Sequence, residues 1–220
     1  MYKTETHLHI EESCYCGNIP ATEMVMLYKE SGFKTIIITT HYKYEYLKKI
    51  SSDWDEVVDY MVAGYKNAKV KGDVEGINIL YGIEVTLLEN KTDYLVYGPT
   101  EAFLRENPEL YRLSFSGLIE LCEKNNFLIV QAHPFRRGME LAPLEYKMPI
   151  EVYNGHSRLD QRNHLAMEYA REHNLIGTSG SDFHELEDLA KGGIITDKEI
   201  KTIEDFKNAV LSNEFTIITT

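Results

Sequence analysis

The sequence predicts an α/β fold, a parallel sheet with helices outside it, built as a barrel or as an open doubly wound sheet. Three observations lead there. Short β-branched and apolar runs alternate with amphipathic stretches of helical period along the 220 residues, the pattern of repeated strand–helix units. No Pro/Gly/Ser-rich linker, low-complexity tract or internal repeat interrupts them, so one domain over residues 1–220 is expected. No Gly-x-Gly-x-x-Gly follows the first strand, which removes support for the nucleotide-binding open sheet.

Taken in order, Met1 to Glu5 leads into a first strand that closes at Thr6-His7-Leu8-His9. Pro20 suits a first helical turn, with Met24, Leu27, Tyr28 and Ser31 on one face before Gly32. Thr35 to Thr40 is a continuous β-branched run, as in a strand buried on both faces. Ser51-Ser52-Asp53 offers caps for a long helix carrying Trp54, Val57, Val58, Met61, Tyr65 and Ala68, which Gly72 is expected to end. Further strands are expected at Asn78–Val85, Asp93–Tyr97, Phe127–Gln131, Ile150–Tyr153 and Leu175–Gly177. Ser114 can cap a helix with Phe115, Leu118 and Cys122 on one side; Leu159 to His173 and Ile203 to Val210 mark two more.

Composition is that of an ordinary globular chain, 43% hydrophobic and 26% charged. The formal charge of −12 argues against nucleic acid or an anionic membrane as the main partner, because both need a basic face. No apolar run approaches the roughly 20 residues that span a bilayer. With no signal peptide read at the start and three cysteines, an odd number, the chain reads as a reduced cytoplasmic protein. Cys14 and Cys16 read as loop thiols and Cys122 as core.

Five of eight histidines fall at the ends of predicted strands: His7, His9, His41, His133 and His184. Glu84 joins them late in its strand, and Asp182 stands two residues before His184. In a parallel barrel these strand ends share one face, where sites are built. His7 and His9, two apart, point the same way, as Asp182 and His184 do if the chain there is extended. Imidazoles and carboxylates packed together need a counter-ion, and they are the ligands that Zn²⁺, Mn²⁺ and Fe²⁺ accept. Seven candidate ligands exceed what one ion uses, so two or more are implied.

Taken together, HLH, ITTH, GIE, QAHP and GSDFH resemble the motif series of the PHP (polymerase and histidinol phosphatase) superfamily, in particular its small stand-alone bacterial members. The resemblance implies a distorted seven-stranded (β/α) TIM-like barrel with two or three divalent ions at its C-terminal mouth, and phosphoester hydrolysis. It implies that His7, His9, Glu84 and Asp182 hold one ion, that Glu84 bridges to a second taken by His133, and that His41 and His184 hold a third. The chain departs from the pattern in three places. The first loop, Ile10 to Gly17, lacks the usual Asp or His, leaving Glu12, Cys14 or Cys16 as substitutes. Tyr97-Gly98-Pro99-Thr100-Glu101 stands where many members have a histidine after the fourth strand. Thr40 replaces an aspartate before His41, which removes an outer carboxylate.

The expected chemistry is attack on a small phosphorylated substrate by a metal-activated hydroxide, with paired ions neutralising the phosphoryl oxygens. Arg136, directly after His133-Pro134-Phe135, is a candidate phosphate clamp, and Asn154 a candidate for positioning substrate or water. His156 reads as an exposed loop residue, and His164 and His173 as helical and outside the chemistry. Tyr42, Tyr44 and Tyr46 either wall the pocket or form an exposed loop, and Lys66, Lys69 and Lys71 read as a solvated helix end. Two alternatives stand beside a phosphoesterase: an amidohydrolase-type metallohydrolase, and a barrel that binds metal or ligand without catalysis.

Overall fold

The computed structural model describes residues 1–220. Nine strands form one sheet: β1 (Tyr2–Glu5), β2 (Phe33–Tyr42), β3 (Asn78–Thr86), β4 (Asp93–Tyr97), β5 (Leu128–Gln131), β6 (Ile150–Asn154), β7 (Gly177–Gly180), β8 (Ile194–Thr196) and β9 (Thr216–Ile217). Seven helices accompany them: α1 (Ala21–Glu30), α2 (Tyr44–Leu47), α3 (Trp54–Glu75), α4 (Glu101–Glu106), α5 (Phe115–Lys124), α6 (Asn163–His173) and α7 (Ile203–Ser212). The short helices α2 and α4 and the late strands β8 and β9 were not legible from period.

The strand order is β7-β6-β5-β4-β3-β2-β1-β8-β9. Beyond β1, Leu8 makes a parallel bridge to Phe183, just past β7, and the His9 N–H donates to the Phe183 carbonyl at 2.9 Å. That contact nearly closes the sheet into the expected barrel. Two features depart from the expected layout. The core strand β4 runs antiparallel to β3 and β5, and the added strand β8 runs antiparallel to β1. A short β3–β4 hairpin, with no helix between the strands, is what reverses β4.

Alternation along β2 sorts its side chains. Ile36 and Ile38 pack outward with Met24, Tyr28 and Ala68, under α1 and α3. Ile37 packs inward with Leu95, Tyr97, Val130, Phe206 and Val210. Helix α7 thus plugs the end of the barrel away from the site, and burying Phe206 there contributes about 1.5–3 kcal/mol. Thr40 is on the outward face, donating to the Met61 carbonyl of α3, so a carboxylate at this position would not face the site.

Helix ends follow local chemistry. The Asp53 side chain accepts from the Asp55 N–H, and Thr202 and Asp205 form a reciprocal capping box on α7. Gly76, at φ 70°, ends α3, not Gly72. Gly72 lies inside the helix because a Cβ there would come within 2.7 Å of the Ile77 carbonyl. Helix α6 begins at Asn163, leaving Leu159 exposed before it.

Candidate metal centre

The N-terminal segment supplies two histidines. Leu8 is fully buried in the apolar layer under α1, which turns His7 and His9 together to the opposite side, with their Nε2 atoms 3.2 Å apart. In the parallel register of β2 and β3, His41 lies beside Glu84, and its Nδ1 is 2.5 Å from Glu84 Oε2 without hydrogen-bond geometry. Glu84 Oε1 is 3.4 Å from His7 Nε2 and 3.1 Å from His133 Nε2. Asp182 Oδ1 is 3.4 Å from both His7 Nε2 and His9 Nε2, and 3.6 Å from His184 Nδ1. All seven expected residues therefore meet in one cluster.

Two of them occupy unusual backbone. His133 (φ 28°) and Asp182 (φ 49°) have positive φ, which is uncommon outside glycine and concentrates at functional sites. Asp182 is therefore not on extended chain, and the alternation expected between it and His184 does not apply. The chain turns, and the His184 ring faces back on the Asp182 carbonyl, 2.8 Å from Nδ1.

The donors separate into sets compact enough for one ion each, every donor atom within 4.8 Å of the others. His7, His9 and Glu84 form one; Glu84, Asp93 and His133 a second; His9, Cys14, His41 and His184 a third. Asp93 was missed because β4 was expected to be parallel. The reversed strand brings its first residue, not its last, to the mouth. The segment from Tyr97 to Glu101, expected there, lies at the far end beside a cavity of about 270 Å³.

The fit to metal rests on unpartnered atoms. Five buried side-chain polar atoms have no hydrogen-bond partner, and four are in this cluster: His9 Nδ1, His41 Nδ1, Glu84 Oε2 and His133 Nδ1. His41 Nδ1 and Glu84 Oε2 face each other as an ion pair, while His9 Nδ1 and His133 Nδ1 face no partner, each at a cost of about 1–3 kcal/mol. Nitrogen and carboxylate lone pairs packed this closely fit divalent cations.

Electrostatics point the same way. Burial works against the charged form of His7, yet Asp182, Glu151 and Glu84 together hold its pKa well above the ordinary value. Burial and the neighbouring His41 and His184 push His9 well below, and burial lowers His184 to about 4. Against its own burial, Glu84 is held well below the carboxylate range by His41 and His7, and Asp182 by His7 and Arg136.

A layer of further residues fixes the donors. Glu151 Oε1 is 3.0 Å from His7 Nδ1, and its Oε2 accepts from the His133 N–H and the Asn154 amide. Glu5, wholly buried, accepts from the N–H groups of Thr6, His7 and Ser181 and from the Tyr28 hydroxyl, tying the first strand to the loop carrying Asp182. Burial raises its pKa. Glu151 had a readable signal, a carboxylate inside the otherwise apolar run Ile150–Tyr153.

Both proposed substrate residues are at the mouth but engaged. Arg136 donates through Nη2 to Asp182 Oδ2 at 2.6 Å and through Nε to Gln161, leaving Nη1 uncommitted. Asn154 donates to Glu151 and Asp182 and accepts from the His156 N–H, so its amide holds protein groups. His156 is buried rather than exposed, its Nδ1 3.3 Å from Asp188 Oδ2, because the fully buried Asp188 also accepts from Ser157 and His184 and gathers this loop inward. Cys14 and Cys16 are joined by a disulfide, where loop thiols were expected. Glu12 is withdrawn from the site, accepting from the Ala21 N–H at the start of α1.

Fold and cluster together define a nearly closed α/β barrel with a histidine–carboxylate centre able to hold metal ions. A family model for the PHP domain matches residues 5–217, and the chain belongs to that family. Solved structures share the fold. A two-domain protein from Bacteroides vulgatus, containing a predicted PHP-like metal-dependent phosphoesterase, is 16% identical with a TM-score of 0.70, covering 99% of this chain. This chain spans 64% of that one. PsfC from Pseudomonas syringae is 17% identical with a TM-score of 0.69, covering 100% of this chain and 91% of its own. An amidohydrolase from Chromobacterium violaceum, with bound sulfate and no metal, is 16% identical with a TM-score of 0.52, covering 84% of this chain and 89% of its own. No curated protein matches the chain. No helix is long and apolar enough to cross a membrane.

Proposed function

We propose that this protein is a metal-dependent phosphoesterase that hydrolyses a small phosphomonoester, using two or three divalent ions of zinc, manganese or iron. The observation that carries the reading is the convergence of seven histidine and acidic side chains, four of whose buried atoms lack partners, beside an arginine with a free Nη1. His7, His9, Glu84 and Asp182 would hold one ion, Glu84, Asp93 and His133 a second, and His41 and His184 a third. Bound ions of this kind supply hydroxide at neutral pH and stabilise the charge of an in-line displacement.

The chain's own residues do the positioning. Glu151 accepts a hydrogen bond from the His7 Nδ1–H, which leaves the Nε2 lone pair facing the cluster. Asn154 and Arg136 both hold Asp182 Oδ2, which leaves Oδ1 directed at His7 and His9. Arg136 Nη1 is placed to donate to a phosphoryl oxygen. Glu84 sits where an amidohydrolase would carry a lysine, which favours phosphoester over amide chemistry.

The test is phosphate release from an aryl phosphate and a panel of sugar, nucleotide, histidinol and tyrosine phosphates, with added Mn²⁺ or Zn²⁺ and with chelator, beside Asp182→Asn. Metal-dependent release absent from the variant is the expected result. Metal binding without release on any substrate would replace this reading with a non-catalytic barrel.

A further inference from the structure

Cys14 occupies the place left by the missing first-loop ligand, and its sulfur is within 4.8 Å of donor atoms of His9, His41 and His184. It is buried, with 4% of its surface exposed. Cys16, two residues on, is half-buried, beside the exposed Tyr15. The two sulfurs are bonded to each other. A sulfur in a disulfide has no thiolate to offer a metal ion, so the same atom has two exclusive partners.

We infer that Cys14 is a thiolate ligand of the ion held by His41 and His184, and that its bond to Cys16 switches that position off. This rests on the proposed metal binding and concerns one of the three positions. The donor set supports it. A tetrahedral ion with bonds of about 2.0–2.3 Å to nitrogen and sulfur takes three protein donors and keeps one open position at a catalytic site, and His41, His184 and Cys14 supply the three, His9 being committed to the first ion. Neither competing residue is free: Glu12 is spent on α1, and Cys16 lies outside the set within 4.8 Å. His41 Nδ1 is among the atoms without a hydrogen-bond partner. A thiolate also changes the metal preference, since sulfur favours zinc over manganese.

The switch needs only a small disulfide such as glutathione disulfide as oxidant. The Cys16 thiolate attacks one sulfur, breaking the small disulfide and releasing one glutathione thiolate, which takes up the Cys16 proton. The Cys14 thiolate then leaves the ion and attacks the Cys16 sulfur, forming the Cys14–Cys16 bond and expelling the second glutathione thiolate. Two electrons pass from the cysteine pair to glutathione disulfide, which becomes two glutathione thiols, and excess thiol reverses both steps. Half-exposure of Cys16 and burial of Cys14 suit these roles as first and second attacker.

The experiment uses Co²⁺ alone as the probe, on the full chain, with no activity readout. Wild type reduced by a phosphine that is then removed should show the near-ultraviolet charge-transfer band of a Co²⁺–thiolate bond. Treatment with glutathione disulfide should abolish the band and release one equivalent of Co²⁺, and thiol should restore both. Cys14→Ser should lack the band whatever the redox state. Cys16→Ser should keep it and resist oxidative loss of the ion, apart from any mixed disulfide, which mass spectrometry identifies. Equal Co²⁺ content in reduced and oxidised wild type, with no thiolate band, would overturn the inference while leaving metal binding by the histidines intact. A band that survives in Cys14→Ser and vanishes in Cys16→Ser would assign the wrong sulfur and overturn it as well. Absence of Co²⁺ binding in every form would overturn both this inference and the proposed metal centre.

Discussion

Glu151 reaches His7 across the barrel mouth, with Oε1 3.0 Å from Nδ1, while its other oxygen takes the His133 N–H. One carboxylate thus sets the tautomer of one donor and the backbone of another. Glu151→Gln should lower metal affinity about 10–100-fold, the usual effect of losing an outer partner of a ligating histidine. Metal titration of the folded variant checks this, and unchanged affinity would remove Glu151 from the site.

Asp182→Asn and His9→Ala should each abolish turnover and reduce bound metal. Metal analysis after dialysis, with circular dichroism to confirm folding, is the check. Full activity in either variant would be incompatible with the proposed centre.

Arg136→Ala should lower kcat/KM for phosphoesters by about 10–100-fold, the loss of a charge-assisted hydrogen bond worth about 1.5–3 kcal/mol. At saturating metal the ion content should stay the same, while metal affinity falls because Asp182 loses one of its two outer partners. Arg136→Lys should recover only part of the activity, because an ammonium cannot hold Asp182, Gln161 and a phosphoryl oxygen from one planar group. Steady-state kinetics with metal analysis on each variant decides it.

His184 titrates near 4 in the fold against 6.5 in the unfolded chain. Between those values the unfolded state binds the extra proton, so the metal-free protein should lose stability as pH falls from about 6.5 to about 4. The slope from this one group is at most about 1.4 kcal/mol per pH unit. His9, also depressed, adds in the same direction, whereas His7, which is raised, stabilises below 6.5 and loses that contribution at higher pH. Urea unfolding of chelated protein across this range should give a shallower dependence for His184→Gln than for wild type. Identical slopes would refute the assignment.

Gly192→Ala should destabilise by about 3 kcal/mol or more, because the new Cβ would lie 2.1 Å from the Gly180 carbonyl carbon and oxygen, and backbone cannot rotate away. Thermal melting of the variant tests this close approach of the β8 entry to β7.

The sequence made the donors legible because metal chemistry limits them to few residue types and the strand ends mark their positions. It hid Asp93, since strand direction depends on a turn rather than on the residues of the strand. A parallel sheet was expected, but Leu87 to Thr92 makes a short hairpin, and the whole fourth strand was read upside down. His156 looked exposed because the carboxylate that buries it, Asp188, lies 32 residues away. Gly72 looked like a helix end because its reason, the approach of Ile77 and Ile79, is tertiary. Glu5 is an acid whose role depends on burial that no local pattern announces, whereas Glu151 stood out as a carboxylate in the apolar run Ile150–Tyr153.

The bridge from Leu8 to Phe183 joins the two ends of the motif series through the backbone. Its consequence lies in the order of assembly. On a ribosome, His7 and His9 emerge early and wait for about 175 residues before Asp182 and His184 arrive, and contacts this distant in sequence form slowly. An ion bound too soon by the early histidines alone would be held by an incomplete set and exchanged. The proposed ligand set therefore comes into being only with barrel closure, so metal loading of the proposed centre would mark the last step of folding.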